Sequence, residues 1–364
     1  MDTRKIIFVL DAGGTGFKFS AVENYKEIIE PFTVKTASST LEEQLQKIID
    51  GFKLVQELCG SAPTAISFSF PGPTDYPNGI IGDLENLPLF KGGVALKDML
   101  EDEFNVPVFI NNDGDLFVYG EALAGLLPEV NAMLEREGNP KRYKNLFGVT
   151  LGTGLGGGIV LNGKLLEGDN SAGAEVCRTR NLLYPETSAE DSVSIRGIRR
   201  VYAREAGIAE DLAPEPFDIY EIARGNKEGN KEAALAAWDE FAVVLADVIA
   251  DVSTLVDGIV VLGGGLSGAW EVFLPKVIQL LNSQFVGLDG HTFPRMEISA
   301  CNLNDPDDQK NFITKSGKMI KVPFSNREVW YEPSRKIGVG VTKLGTSSAV
   351  AIGAYAFAIN KLEN

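Results

Sequence analysis

One short pattern occurs twice in this chain: an apolar run, a glycine-rich turn, then a second strand-like run. In the first copy, Ile6 to Leu10 leads into Asp11-Ala12-Gly13-Gly14-Thr15, and Lys18-Phe19 resumes the extended pattern. In the second, Leu146 to Leu151 meets Gly152-Thr153-Gly154-Leu155-Gly156-Gly157-Gly158 and continues through Ile159 to a turn at Asn162-Gly163. Apolar runs bounded by turn residues read as buried strands, so each copy is a predicted hairpin. Each copy is followed by helical periodicity and further strands. The chain therefore reads as two α/β units facing each other, with both glycine turns at a shared cleft. Its 364 residues suffice for two domains with separate cores.

Between the hairpins, helices are predicted over Leu41–Leu58, Val94–Phe104 and Leu116–Leu127, and strands over Ala65–Phe70 and Pro107–Ile110. Beyond the second hairpin, helices run from about 192 to 256, the longest being Ala233–Val256. A strand at Gly258–Leu262 enters Gly263-Gly264-Gly265 and a helix at Trp270–Leu281. Ser347–Lys361 reads as a closing helix rich in alanine. Two polar stretches, 128–145 and 302–336, read as a surface excursion and an inserted loop or hairpin.

The first turn combines an acid, bare amides, a hydroxyl and a cation. Gly13 and Gly14 bring amides close to a ligand, Thr15 adds a donor, Lys18 a positive charge, and Asp11 a carboxylate suited to Mg²⁺. That set suits a magnesium-bound polyphosphate, although Gly-Gly pairs also make plain hairpin turns. Gly152 to Gly157 satisfies G-x-G-x-x-G after a strand, but a dinucleotide site needs a helix opening at the third glycine. Here β-branched Ile159-Val160 and a hairpin turn follow, so a second phosphate cradle, with Thr153 as donor and Gly154 in the turn, fits better. Gly263, Gly264 and Gly265 open a helix and favour an anion or a flat ligand, or make a tight turn. Asn112-Asp113 stands at a strand end, where ligands collect in open α/β sheets. Its carboxylate suits proton transfer from a hydroxyl, or simply capping of a helix.

Composition narrows the function classes. Net charge is −16, which disfavours nucleic acid as a partner, since phosphate backbones demand clustered Lys and Arg. Cys59, Cys177 and Cys301 are far apart and His291 is the single histidine, so no Cys/His zinc site and no histidine-based triad is expected. No apolar run approaches membrane-spanning length and no signal-like segment precedes the first strand, so the expected location is cytoplasmic, with no membrane partner.

Taken in order, these motifs resemble the ROK family of repressors and sugar kinases, within the actin-like ATPase and hexokinase superfamily. Asp11 to Lys18 resembles its first phosphate motif, Phe70-Pro71-Gly72-Pro73 with Gly79-Ile80 and Asn86-Leu87-Pro88 its sugar-side loops, and Asn112-Asp113 its catalytic pair. Leu151 to Gly158 resembles the second phosphate motif and Val261 to Ser267 the adenosine motif. The resemblance implies a two-lobed, ribonuclease H-like α/β fold with duplicated βββαβαβα units around a central cleft. The lobes would be 1–114 with 347–364, and 115–346. It also implies ATP and Mg²⁺ as cofactors, a small-molecule sugar as partner, and a dimer.

One departure stands out. The family pattern Gly-Glu-x-Gly-His, followed by a cysteine-rich zinc loop, is replaced here by Ala174-Glu175-Val176-Cys177-Arg178. Arg178 stands at the histidine position, the zinc cysteines are missing, and no structural zinc is expected. Ala189-Glu190 continues the frame beyond the loop. The resemblance thus implies that Asp113 deprotonates a sugar hydroxyl. Gly72, Asn86, Asn112, Glu175, Arg178 and Glu190 would hold the hexose or N-acyl hexosamine. Helix-face or capping roles for Glu175 and Glu190 remain alternatives. So do a sugar-responsive regulator, a non-catalytic sugar- or nucleotide-binding relative, and another actin-like ATPase.

Overall fold

Ile7–Ala12 (β1) pairs antiparallel with Gly16–Glu23 (β2), as the first predicted hairpin requires, in the computed structural model of the chain. The structure describes residues 4–13, 16–72, 74–82 and 88–363; Gly14, Thr15 and Asn86 of the predicted site lie outside the described residues. The strands Lys26–Glu27 (β3) and Phe32–Lys35 (β4) also pair with β2. The helix Leu41–Cys59 (α1) follows, capped by Thr40, whose side chain accepts from the Glu43 amide. Ala65–Ser69 (β5) joins β1 in parallel. A small hairpin, Ile80–Ile81 (β6) with Val94–Ala95 (β7), then precedes Leu96–Phe104 (α2), Val108–Asn111 (β8) and Asp113–Leu123 (α3). The first sheet has the order β3-β2-β1-β5-β8, with β4 on β2.

Leu126–Arg136 (α4) leads to Leu146–Leu151 (β9), Leu155–Leu161 (β10) and Lys164–Leu165 (β11). The helices Ile195–Ala206 (α5), Pro216–Arg224 (α6) and Lys231–Val256 (α7) follow, then Ile259–Gly263 (β12) and Trp270–Leu281 (α8). Gln284–Val286 (β13) and Thr292–Pro294 (β14) form a separate hairpin. Next come Ser299–Asn302 (β15), Pro306–Ile313 (α9), a hairpin of Lys318–Lys321 (β16) and Glu328–Tyr331 (β17), Lys336–Val341 (β18), and Thr346–Glu363 (α10). The second sheet has the order β11-β10-β9-β12-β18-β15. β12 runs parallel to both β9 and β18, and β15 runs parallel to β18.

The chain divides into two compact units, Met1–Gly125 with Gly157–Ala174 and Lys343–Asn364, and Leu126–Gly156 with Glu175–Thr342. In the first, strand alternation separates two environments. Phe8, Leu10, Phe19, Ile66, Phe68 and Ile110 point into one core with Ile48, Phe52 and Val55 of α1. The other face carries Asp11, Ser69 and Phe109, and α10 covers it, with Phe357 against Phe109 at 6.4 Å between ring centroids. In the second unit, Trp238 and Phe241 of α7 pack with Phe273 of α8.

Three expectations are corrected. Part of the 128–145 excursion is helix: α4 buries Leu126, Leu127, Val130, Met133 and Leu134, an apolar stripe at helical spacing among charged residues. The predicted helix over Leu116–Leu127 begins at Asp113 and breaks after Leu123, because Gly125 packs on the Glu121 side chain, where a Cβ would lie 2.2 Å from its carboxylate. The 302–336 insert contains α9, whose cap Asp305 accepts from Asp307 and Asp308 amides, ahead of the β16–β17 hairpin.

Candidate active site

The register of the first sheet sets four polar residues in one row. Lys18 lies opposite Asp11, Asp11 beside Ser69, and Ser69 beside Asn111. The row ends the parallel strands β1, β5 and β8 at their carboxyl termini, where side chains from several strands converge. Ser69 Oγ donates to Asp11 Oδ1 at 3.0 Å, and Ser347 Oγ, from the start of α10, to Oδ2 at 3.5 Å. Burial pushes the Asp11 carboxyl above the usual carboxylate range, while Ser69, Lys18 and Ser347 pull the other way. A half-buried carboxylate flanked by two hydroxyls, with the cation of Lys18 opposite, fits Mg²⁺ brought by a polyphosphate. Among the described residues no three acidic, Cys or His side chains gather into a metal cluster.

The next residues turn from strand to helix. Asn112 caps α3, its Oδ1 accepting from the Asp115 amide, and Asp113 is the first helical residue, with an exposed side chain. Capping therefore falls to Asn112. Asp113 Oδ1 accepts from the neighbouring Gly114 amide at 3.0 Å. Asn111 is buried, and its Nδ2 has no hydrogen-bond partner among the described residues. Such an orphaned donor beside the row marks a place where a polar ligand would satisfy the protein. Gly72, predicted on the sugar side, packs on Tyr76: a Cβ there would lie 2.3 Å from the hydroxyl, which donates to Phe70 O.

The long glycine run of the second motif divides into two roles. Gly152 to Gly154 form the turn, with Gly152 N bonded to Gly154 O at 3.0 Å and Thr153 exposed at its tip. Gly158 instead lies where a Cβ would meet Gly114 O at 2.8 Å, and a Cβ on Gly114 would meet Gly157 O at 2.5 Å. These glycines let α3 sit against β10. The third motif lies beside the turn: Gly263 pairs in register with Thr150, and Gly264, at φ +82°, packs on the Leu151 backbone. Gly265 and Gly268 face open space, leaving bare backbone for a flat ligand.

Hydrogen bonds hold the segment after Ala174. Asn181 is fully buried; its Nδ2 donates to Ser188 O and Ser192 Oγ, and its Oδ1 accepts from the Leu183 and Tyr184 amides. Ser192 continues to Glu240 of α7, which also binds Tyr184 Oη and Arg204. One amide side chain thus ties both ends of the 181–192 loop to the helices. Glu190 Oε2 accepts from the Leu155 amide at 3.0 Å and packs on Gly154, so this predicted sugar ligand braces the second glycine turn. Ile195 N donates to Gly152 O at 2.9 Å, bracing its other side. Glu175 forms no ion pair with Arg178; it accepts from the Cys177 thiol at 3.4 Å. Burial, then Glu175, pushes that thiol up to about 12. Ala174 has φ +60°, a left-handed conformation costly for a residue with a Cβ.

Sequence reasoning passed over Ser69, Ser347 and Asn181. Ser69 carried one signal: it ends a buried strand that is apolar but for Ser67. Ser347 and Asn181 had none, since register and loop path decide whom they meet.

The ROK family model matches residues 7–305, and the chain belongs to this family. Its fold is that of the ROK sugar kinases, with the actin-like ATPase architecture. A glucokinase structure from Parabacteroides distasonis is 47% identical, covers 99% of this chain and 98% of its own, and superposes with a TM-score of 0.88. A glucokinase from Thermotoga maritima is 28% identical over 79% of this chain and 91% of its own length. The fold is shared at 20% identity with a ROK glucokinase from Streptomyces griseus determined with glucose and AMPPNP, with a TM-score of 0.57 and 97% of this chain and 98% of that one covered.

Proposed function

We propose that this chain is an ATP-dependent sugar kinase that phosphorylates a hexose or N-acyl hexosamine hydroxyl, with glucose the first substrate to test. The observation that supports it most is the polar row Lys18–Asp11–Ser69–Asn111 leading directly to Asn112 and Asp113. A half-buried carboxylate for Mg²⁺ and an exposed carboxylate for proton transfer then follow from one sheet. Asp113 accepts the hydroxyl proton as the sugar oxygen bonds to the γ-phosphorus and the bond to the ADP oxygen breaks. Gly13, Gly14, Thr15, Gly152, Thr153 and Gly154 bind the phosphates, with Lys18 offsetting their charge. Mg²⁺, held through Asp11, would neutralise charge on the transferring group. Gly263, Gly264 and Gly265 take the adenosine. Gly72, Asn86, Asn112, Glu175, Arg178 and Glu190 form the sugar side, and the cytoplasm is the compartment that supplies ATP.

The test is a coupled ADP-release assay over glucose, mannose, fructose and N-acetylated hexosamines. ADP release that depends on one of these sugars is expected; a flat response across all of them would sink the kinase reading. Asp113→Asn should then lower kcat by ~10²–10⁴, the usual worth of a general base. Turnover within about tenfold of wild type would remove Asp113 from that role.

A further inference from the structure

One short segment of the second unit grips the second glycine turn at two points. Glu190 Oε2 takes the Leu155 amide at 3.0 Å, and Ile195 N donates to Gly152 O at 2.9 Å. Between those points the turn closes on itself, Gly152 N donating to Gly154 O. Gly154 is what lets the carboxylate approach, since a Cβ there would lie 2.5 Å from Glu190 Oε2. Thr153, exposed at the tip, is therefore braced on both sides.

The gripping segment is well anchored. Ser188 and Asp191 form a capping box, with Ser188 N and Oγ each donating to Asp191 Oδ2 at 3.3 Å. Arg196 donates to the Asp191 carboxylate at 3.1 Å and Arg200 to its carbonyl at 2.7 Å. Ser192 is tied to Asn181 and to Glu240. With its flanking residues held this way, Glu190 places its carboxylate on the turn from a fixed base.

The same carboxylate stands close to the residues proposed for the sugar. Burial, then Glu175 and Glu190, push the Cys177 thiol up, while Arg178 pulls it down. Those three charged side chains therefore gather round one thiol. A carboxylate offers two oxygens and about four lone-pair sites, more than one backbone amide uses. A hydrogen bond from an amide to an ionised carboxylate is also about twice as strong as a neutral one.

We propose that Glu190 is a positioning residue for the phosphate turn as well as a ligand of the sugar, one carboxylate serving both. This inference rests on the kinase reading. A sugar hydroxyl that donates to Glu190 restricts the carboxylate, which orders the Leu155 amide and the turn that takes the phosphates. Sugar and nucleotide then bind with positive coupling, and each raises the affinity of the other by the same factor.

Binding rather than turnover tests it. Isothermal titration with Mg²⁺ and AMPPNP, without sugar, should give Glu190→Ala an affinity at least ~10-fold below wild type, because the Leu155 amide loses a charged partner. Glu190→Gln keeps an oxygen for that amide and should stay within about threefold of wild type. A residue that served the sugar alone would leave the nucleotide affinity of Glu190→Ala at the wild-type value, and that result overturns the proposal. Saturating sugar should tighten AMPPNP in wild type by about 5- to 150-fold, the usual range of such coupling. In Gly154→Ala the added Cβ displaces the carboxylate, and the factor should fall to about one. Full coupling in that variant would also reject the link. The two readings fail separately. Sugar-dependent ADP release with unaltered AMPPNP affinity in Glu190→Ala rejects this inference alone. A flat sugar response with the Glu190→Ala loss intact rejects the kinase reading and leaves the brace standing.

Discussion

Asp11 shows how one side chain carries both cost and function. It sits among apolar neighbours and two hydroxyls, so its charge is held at the expense of solvation. Asp11→Asn should abolish sugar-dependent turnover yet leave the melting temperature equal to or above that of wild type. A marked fall in melting temperature would mean that the carboxylate is chiefly structural. Ala174 carries strain at its left-handed φ, so Ala174→Gly should raise stability by about 0.5–1 kcal/mol in denaturant titrations. Cys177 offers a pH reading. With its thiol pushed up to about 12, almost none is thiolate at pH 8, and alkylation should run about a thousandfold slower than at an ordinary exposed thiol. Glu175→Gln removes a neighbouring negative charge, which lowers the thiol's pKa. Its alkylation should therefore accelerate, and an unchanged rate would break the link between Glu175 and Cys177.

At the level of elements, glycine acts mostly as a spacer. α3 and α10 cross so closely that a Cβ on Gly120 would lie 2.0 Å from Ala349 O, and Gly353 approaches Leu116 O just as tightly. Gly353→Ala should cost at least ~1–3 kcal/mol by overpacking, measured by thermal or chemical unfolding. The repeated strand–turn–strand pattern was legible because turns and apolar strands are local features. The division of labour inside Gly152 to Gly158 was not. Which glycines make the turn and which admit a helix depends on where α3 lies, information that sits some forty residues earlier in the chain. The α4 helix was obscured by its charged face, and β18 by its place directly after a polar insert. For the loop after Ala174, the sequence showed that the zinc cysteines are missing but not which hydrogen bonds hold the loop. Asn181→Ala should loosen it, leaving the Ser188 carbonyl and the Leu183 and Tyr184 amides without their side-chain partner, each worth about 1–3 kcal/mol where buried. Faster amide exchange over 181–192 is the expected observation.

For the whole molecule, ligand linkage is the simplest check on the site. Nucleotide with Mg²⁺ and sugar, each at about a hundred times its dissociation constant, should stabilise the chain by ~2.7 kcal/mol per independent ligand. The Asp113→Asn protein should keep the nucleotide-dependent shift while losing turnover, because binding and proton transfer rest on different residues. Sequence alone determined the duplicated strand–turn–strand units, the three glycine turns, the Asn112-Asp113 pair and the family they indicate. Each of these lies within a few consecutive residues, and local backbone chemistry expresses it. Tertiary structure alone decided that Ser69 and Ser347 hold Asp11, that Glu190 braces a glycine turn, and that Asn181 ties down the 181–192 loop. Those partners are tens to hundreds of residues apart, and only strand register and helix placement bring them within hydrogen-bonding distance.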